Sequence, residues 1–190
     1  DRNNKELLYG PTNEEMITAI GKHFIKSHKN LPRYFFHIQS KFRDEIRPRF
    51  GVMRAREFLM KDAYSFDKDE KSGELTYENF FRLYLSIFDK LGLRIIPVRA
   101  PSGEIGGNLS HEFHLLLETG ESKIFIDENF LKNNFSDFKI SEIKSINSFT
   151  DELYESLNIN QSLTQLKSTE LGHIFLFGTK YSKSFDFKID

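Results

Sequence analysis

Two runs of alternating residues, 34–45 and 57–66, restrict the fold of this chain more than any other feature. In the first, Phe36, Ile38, Ser40 and Phe42 fall on one face and His37, Gln39, Lys41, Arg43 and Glu45 on the other. In the second, Phe58, Met60, Asp62, Tyr64 and Phe66 share a side. A period of two marks strands, and Pro48 and Gly51 break the chain between them. The pattern predicts an antiparallel hairpin whose loop exceeds the roughly two to five residues of a tight turn. Long loops on rigid strands are where function concentrates. The second face of the first run is polar for its whole length, which suits a sheet lined with ligand-binding groups.

Five of the ten arginines (Arg43, Arg47, Arg49, Arg54 and Arg56) lie in or beside that loop, in a chain of net charge −1. Guanidinium groups this close repel one another unless an anion neutralises them, and their planar fork matches phosphate and carboxylate. Asp62 poses the opposite problem. A carboxylate between Met60 and Tyr64 is costly to bury alone, so it meets either water or a cation, and the residues leave both open.

Around the hairpin the pattern is mixed. Glu6–Tyr9 reads as a short strand stopped by Gly10-Pro11, and Thr12 and Glu15 match a capping box that opens a helix to about Ser27. Tyr77, Phe80, Phe81, Tyr84, Ile87, Phe88 and Leu91 recur at helical spacing before Gly92 and predict a helix with a core-facing aromatic stripe. Strands are expected at Arg94–Val98, Ser110–Glu118, Lys123–Asp127 and Glu170–Phe177. The glycine-rich stretch 102–107 lacks the lysine of a phosphate-binding P-loop. Residues 128–168, dominated by asparagine, serine and lysine, read as a connector or small insert with weak helical periodicity around Ile140–Leu157. The fold class is therefore α+β, a mostly antiparallel sheet flanked by helices.

Composition excludes several functions. With no cysteine, disulfides and thiolate metal sites are impossible. His111 and His114 lack a third partner at zinc spacing, so no metal-ligating set is expected from them. No apolar run approaches the roughly 18–20 residues of a membrane span, and the balanced charge limits any nucleic-acid contact to local patches. A start in polar sequence without methionine suggests an internal piece of a longer protein.

Phe42-Arg43-Asp44-Glu45 followed by Arg54-x-x-x-Phe58 resembles the second signature motif of class II aminoacyl-tRNA synthetases. The wider stretch through Glu57-Phe58-Leu59-Met60-Lys61-Asp62-Ala63-Tyr64-Ser65-Phe66 is similar to the bacterial prolyl-tRNA synthetase family almost residue for residue. So are 10–15, 106–113 and 172–182. The resemblance covers the whole chain and is weak only over 128–168. It implies an ATP-dependent ligase, cytoplasmic and homodimeric, that activates L-proline and transfers it to tRNA(Pro), with Mg2+ on the phosphates. Within it, Arg43 bridges the ATP α-phosphate and the proline carboxylate, Glu45 reads the adenine edge, Arg54 reaches the γ-phosphate and Phe58 stacks on adenine. Thr12 and Glu14 match the family's Thr-x-Glu loop, where the acid pairs with the substrate ammonium. Met60, Asp62, Tyr64, His111 and Phe113 wall the proline pocket, and Glu104 or Glu170 is a candidate aid to Mg2+.

The implied organisation is a catalytic core over 1–127, a short insert over 128–168 where many bacterial members carry an editing domain, and a return to the core over 169–190. Motifs 1 and 3 are not found in the chain, so the expectation is an incomplete core, inactive alone. A pocket by itself rejects the smaller alanine only about 10–200-fold per methylene, so mischarging is expected. Two rivals remain on sequence grounds. A non-catalytic synthetase-like paralogue would usually lose Arg43 or Glu14, which both stand here, and a threonyl-type enzyme would need a cysteine.

Overall fold

The computed structural model describes residues 2–49, 51, 54–103, 105–159 and 162–189. It divides into two compact units, the chain up to residue 68 together with the residues from 181 on, and residues 69–180.

In the first unit, helix α1 (Glu14–Phe24) starts after Asn13, whose side chain makes no capping bond. Glu14 and Glu15 in its first turn and Lys22 and His23 in its last suit the helix dipole. Thr12 is not the cap expected of it, because its hydroxyl bonds the Glu14 carboxylate instead. Ile17, Gly21 and Ile25 are buried. A Cβ on Gly21 would come within 2.9 Å of the Phe66 ring, so only glycine permits this approach of helix to strand. The strand expected at Glu6–Tyr9 does not form. Leu7 and Leu8 are exposed, and the segment has no ladder partner among the described residues.

The hairpin forms as predicted. Strand β1 (Arg33–Phe42) pairs antiparallel with β2 (Glu57–Phe66) from Arg33↔Phe66 to Phe42↔Glu57, and Arg43 N extends the ladder by a bond to Arg56 O at 2.8 Å. Its faces invert the usual division. On the polar face Lys41 is wholly buried, His37 is half-buried and Gln39 is exposed, while Phe36, Ile38 and Leu59 on the other are 72 %, 62 % and 71 % exposed.

In the second unit, helix α2 (Glu70–Lys90) opens on an Asp69–Ser72 capping box and lays Tyr77, Phe81 and Leu85 into a core. Of the predicted stripe, Ile87 and Leu91 stay exposed. Strands β3 (Ile95–Arg99), β4 (Leu109–Leu116), β5 (Ser122–Ile126), β6 (Ser148–Thr150) and β7 (Thr164–Leu176) close a barrel in the order β3-β4-β7-β5-β6. Every pair is antiparallel except β3–β6, which meets at Arg99↔Phe149. Gly172 lets the Tyr84 ring lie directly on β7, where a Cβ would stand 2.7 Å from it.

The polar stretch 128–168 delivers Phe135, Ile143, Ile146 and Phe149 to the interior and, besides β6, contributes short helices α3 (Ile140–Lys144) and α4 (Asp151–Ser156). A last helix, α5 (Lys180–Ser184), precedes the C-terminal residues. Among the described residues no helix is long and apolar enough to cross a membrane.

Candidate substrate site

The inward face of the β1–β2 ribbon gathers most of the residues singled out from sequence. Antiparallel register sets His37 opposite Asp62, Gln39 opposite Met60 and Lys41 opposite Phe58, and directly paired residues share a face. Asp62 finds its cation there. Lys41 Nζ lies 3.1 Å from Oδ2 and the Tyr64 hydroxyl donates to the same oxygen at 2.6 Å. His37 Nδ1 stands 2.8 Å from Oδ1. Burial, then the bond to Asp62, push the Tyr64 phenol far above its ordinary range, with the nearby Glu14 charge adding to the shift, so it stays a proton donor.

Asn13 completes the cluster. With its amide oxygen turned toward the surrounding donors, it accepts from His37 Nε2 at 2.7 Å, Gln39 Nε2 at 2.9 Å and Lys41 Nζ. Every buried polar group needs such a partner, and Asn13 supplies it from the start of α1. On either side of Asn13 in the chain, Thr12 donates a hydrogen bond to the Glu14 carboxylate.

The arginine loop lies at the open end of the ribbon. Arg43 Nε donates to Pro11 O at 3.3 Å, and its guanidinium sits 5.4 Å from the centre of the Phe58 ring in a cation–π contact. Glu45 Oε1 accepts from Arg47 N at 3.2 Å, Arg54 Nε stands 4.0 Å from Glu45 Oε2, and Arg56 Nε donates to Glu45 O at 2.9 Å. Thr12, Glu14, Arg43, Glu45, Arg54, Phe58, Met60, Asp62 and Tyr64 thus all belong to one unit.

His111 and Phe113 belong to the other, where both are fully buried and neither offers a surface to a ligand. His111 Nδ1 meets the Tyr77 hydroxyl at 2.7 Å, and Phe113 stacks on Tyr84 with ring centres 5.1 Å apart. Burial, then the Arg99 charge, hold the His111 imidazole down to about 3, so it is neutral and can accept a hydrogen bond from the Tyr77 hydroxyl. Elsewhere on the same sheet, Glu112, Glu170 and His173 bring three donor atoms within 4.8 Å of one another. Ser110 Oγ lies 2.6 Å from His173 Nε2, and His114 Nε2 lies 2.6 Å from Glu112 Oε2. Glu104 lies outside the described residues.

The sequence missed Lys41, His37 and Asn13 as partners of Asp62. Alternation already placed Lys41 and His37 on one polar face, but only the register brings that face to Asp62. The Glu112–His173 pairing likewise needs the β4–β7 register.

This combination of an arginine loop on an antiparallel ribbon with an acid-bearing loop beside it belongs to class II synthetases. The family described as tRNA synthetase class II core domain (G, H, P, S and T) matches residues 1–190, and the chain belongs to it. More particularly, it is 54 % identical over 187 residues to the proline–tRNA ligase of Rickettsia africae (strain ESF-5), covering 96 % of this chain and 44 % of that protein. It is 51 % identical over 203 residues to the proline–tRNA ligase of Zymomonas mobilis subsp. mobilis, covering 100 % and 46 %. The chain therefore spans under half the length of these relatives. The crystal structure of prolyl-tRNA synthetase from Cryptosporidium parvum complexed with L-proline and AMP superposes with a TM-score of 0.53 at 19 % identity, over 84 % of this chain and 31 % of that one. That likeness concerns the fold.

Proposed function

We propose that the chain forms the ATP- and amino-acid-binding core of a proline–tRNA ligase. The observation that carries this reading is the placement of Arg43, which touches the Thr12–Glu14 loop through Pro11 O and the face of Phe58 through its guanidinium. One side chain thereby links an amine-binding loop to an aromatic platform for a purine. Arg43 holds the α-phosphate and the substrate carboxylate together, Phe58 stacks on adenine, Glu45 reads the adenine edge and Arg54 reaches the γ-phosphate. Glu14, steadied by Thr12, pairs with the proline ammonium, and Met60, Asp62 and Tyr64 wall the pocket.

The carboxylate oxygen attacks the α-phosphorus as the bond to pyrophosphate breaks, giving prolyl-adenylate. A hydroxyl of the terminal ribose of tRNA(Pro) then attacks the prolyl carbonyl as the bond to AMP breaks and AMP leaves. A carboxylate is already ionised at neutral pH, so the first step needs no general base. It rests on positioning and on neutralising charge, which explains a site rich in arginine. Mg2+ supplies further neutralisation when bound to the triphosphate. In the other unit, Glu170 with Glu112 and His173 forms a donor set of a kind that can hold a divalent cation. The division into core 1–127, insert 128–168 and returning core 169–190, the homodimer and the cytoplasmic setting belong to the same proposal. The presence of Arg43, Arg54, Phe58 and Glu14 together speaks for a catalytic core over a paralogue that only binds RNA.

The test is proline-dependent ATP–pyrophosphate exchange by the natural protein. Activity is expected with proline, and Arg43→Ala should lower kcat/KM by about 10²–10³, as for loss of one transition-state donor. Exchange that ignores proline, or an Arg43→Ala protein as active as the parent, would overturn the reading.

A further inference from the structure

We infer that Lys41 is a specificity-determining residue of the amine site, because it occupies Asp62 and leaves Glu14 as the one acid open to a substrate ammonium. This deepens the proline reading and rests on it.

Lys41 is the most completely buried charged side chain of its unit, and its ammonium faces only the inside of the ribbon. There it lies 3.1 Å from Asp62 Oδ2, the oxygen that also accepts from Tyr64 at 2.6 Å, while His37 stands 2.8 Å from Oδ1. On the far side Lys41 Nζ meets the Asn13 oxygen. Asp62 is thus spoken for at Oδ2 by two protein donors, while Oδ1 faces His37 Nδ1 without a hydrogen bond. Glu14 is not: its recorded partner is the exposed Thr12 hydroxyl. Glu14 and Asp62 both raise the pKa of the Tyr64 phenol, so the two charges are felt at one side chain and would draw on the same cation if both were free. With Lys41 in place their summed charge is −1, which matches a single ammonium.

The chemistry of the ammonium gives this arrangement its selectivity. Proline's nitrogen lies in a ring and carries two N–H donors, whereas a primary amino acid carries three. One open acid with a neighbouring hydroxyl accommodates two donors. A second open acid would add an acceptor that only the primary amine can use fully. Replacing Lys41 by methionine keeps the bulk of the stem, removes the charge and releases Asp62.

The experiment compares kcat/KM for proline and alanine in ATP–pyrophosphate exchange by the natural protein, with thermal melting as a check on folding. Lys41→Met should lower the proline-to-alanine ratio by about tenfold or more, the worth of one charge-assisted hydrogen bond. Adding Asp62→Asn to it should bring the ratio back to within about threefold of the parent, because the released acid is gone. Asp62→Asn alone should weaken both substrates together, through the unpaired Lys41 charge, and preserve the ratio. The inference is overturned if folded Lys41→Met depresses both substrates equally. It is overturned too if Asp62→Asn alone collapses the ratio, since Asp62 would then read the amine itself; this arm decides even if Lys41→Met fails to fold. A parent protein without proline-dependent exchange would sink the underlying reading instead.

Discussion

The ribbon and the barrel solve opposite problems with similar strands. The barrel closes on itself and seals Phe81, Phe113, Ile124 and Ile126 at 0 % exposure. It leaves no open edge among its five ordered strands, and its one histidine–tyrosine pair is interior and neutral. The ribbon has two strands, a polar inward face built on Lys41, Asp62 and His37, and an outward face of exposed aromatic and aliphatic residues. A two-stranded hairpin is marginal alone, and a buried ion pair contributes little net stability. The barrel is organised for its own stability. The ribbon spends its interior on polar groups that can recognise a ligand, and its fold depends on α1 packing over Phe66 through Gly21.

The strongest way to break this contrast is in the barrel core. Phe81→Ala removes a ring enclosed by His111 and Phe113, at centroid distances of 5.8 and 5.4 Å. It should cost about 3–5 kcal/mol of unfolding free energy, as for large aromatic deletions in cores, read by urea denaturation. A loss below about 1 kcal/mol would mean the barrel interior is not a packed core.

The next effect is a pH dependence rooted in the barrel. His111 is held down to about 3 in the folded state, against an ordinary 6.5. Between those values the unfolded chain binds a proton that the folded chain refuses. Stability from this group is therefore complete above about pH 6.5 and falls as the pH drops toward 3, on the order of 1.4 kcal/mol per pH unit. His111→Gln should flatten that part of the profile relative to the parent in unfolding measured from pH 7 to pH 4. Parallel profiles for the two proteins would show that His111 is not a buried neutral group.

The two regions also differ in how far the sequence reveals them. In the ribbon, period-two alternation and the Pro48 and Gly51 breaks give the hairpin, its faces and the arginine loop directly. The direction of those faces is hidden, because the rule that apolar residues point inward fails here: Phe36 and Ile38 are outside and Lys41 inside. In the barrel, α2 shows in its aromatic stripe, but closure does not. Residues 128–168 carry Ile143, Ile146 and Phe149 among polar residues with only weak helical periodicity, yet tertiary packing makes them core. The irregularity opposite Phe113 and His114, where β7 carries one extra residue, Leu171, is a further feature that alternation alone does not show. In the site, Arg43, Glu45, Arg54 and Phe58 were legible as a spaced motif, whereas the Lys41–Asp62 pair required the cross-strand register.

The smallest expected effect sharpens the contrast from the ribbon's side. Leu59 is 71 % exposed on the outward face, beside the similarly exposed Phe36 and Ile38. A side chain that keeps most of its surface in water contributes little burial energy, at about 25 cal/mol per Å² removed from solvent. Leu59→Lys should therefore change the unfolding free energy of the 190-residue chain by no more than about 0.5 kcal/mol. The long aliphatic stem of lysine can lie along the strand while its ammonium stays wet, so even the strand surface is preserved. Chemical denaturation of the two chains side by side gives the answer. A loss above about 1 kcal/mol would mean that this face is packed in solution. The ribbon would then resemble the barrel, with an apolar side that its stability requires, and the division between a self-sufficient barrel and a ligand-directed ribbon would fall.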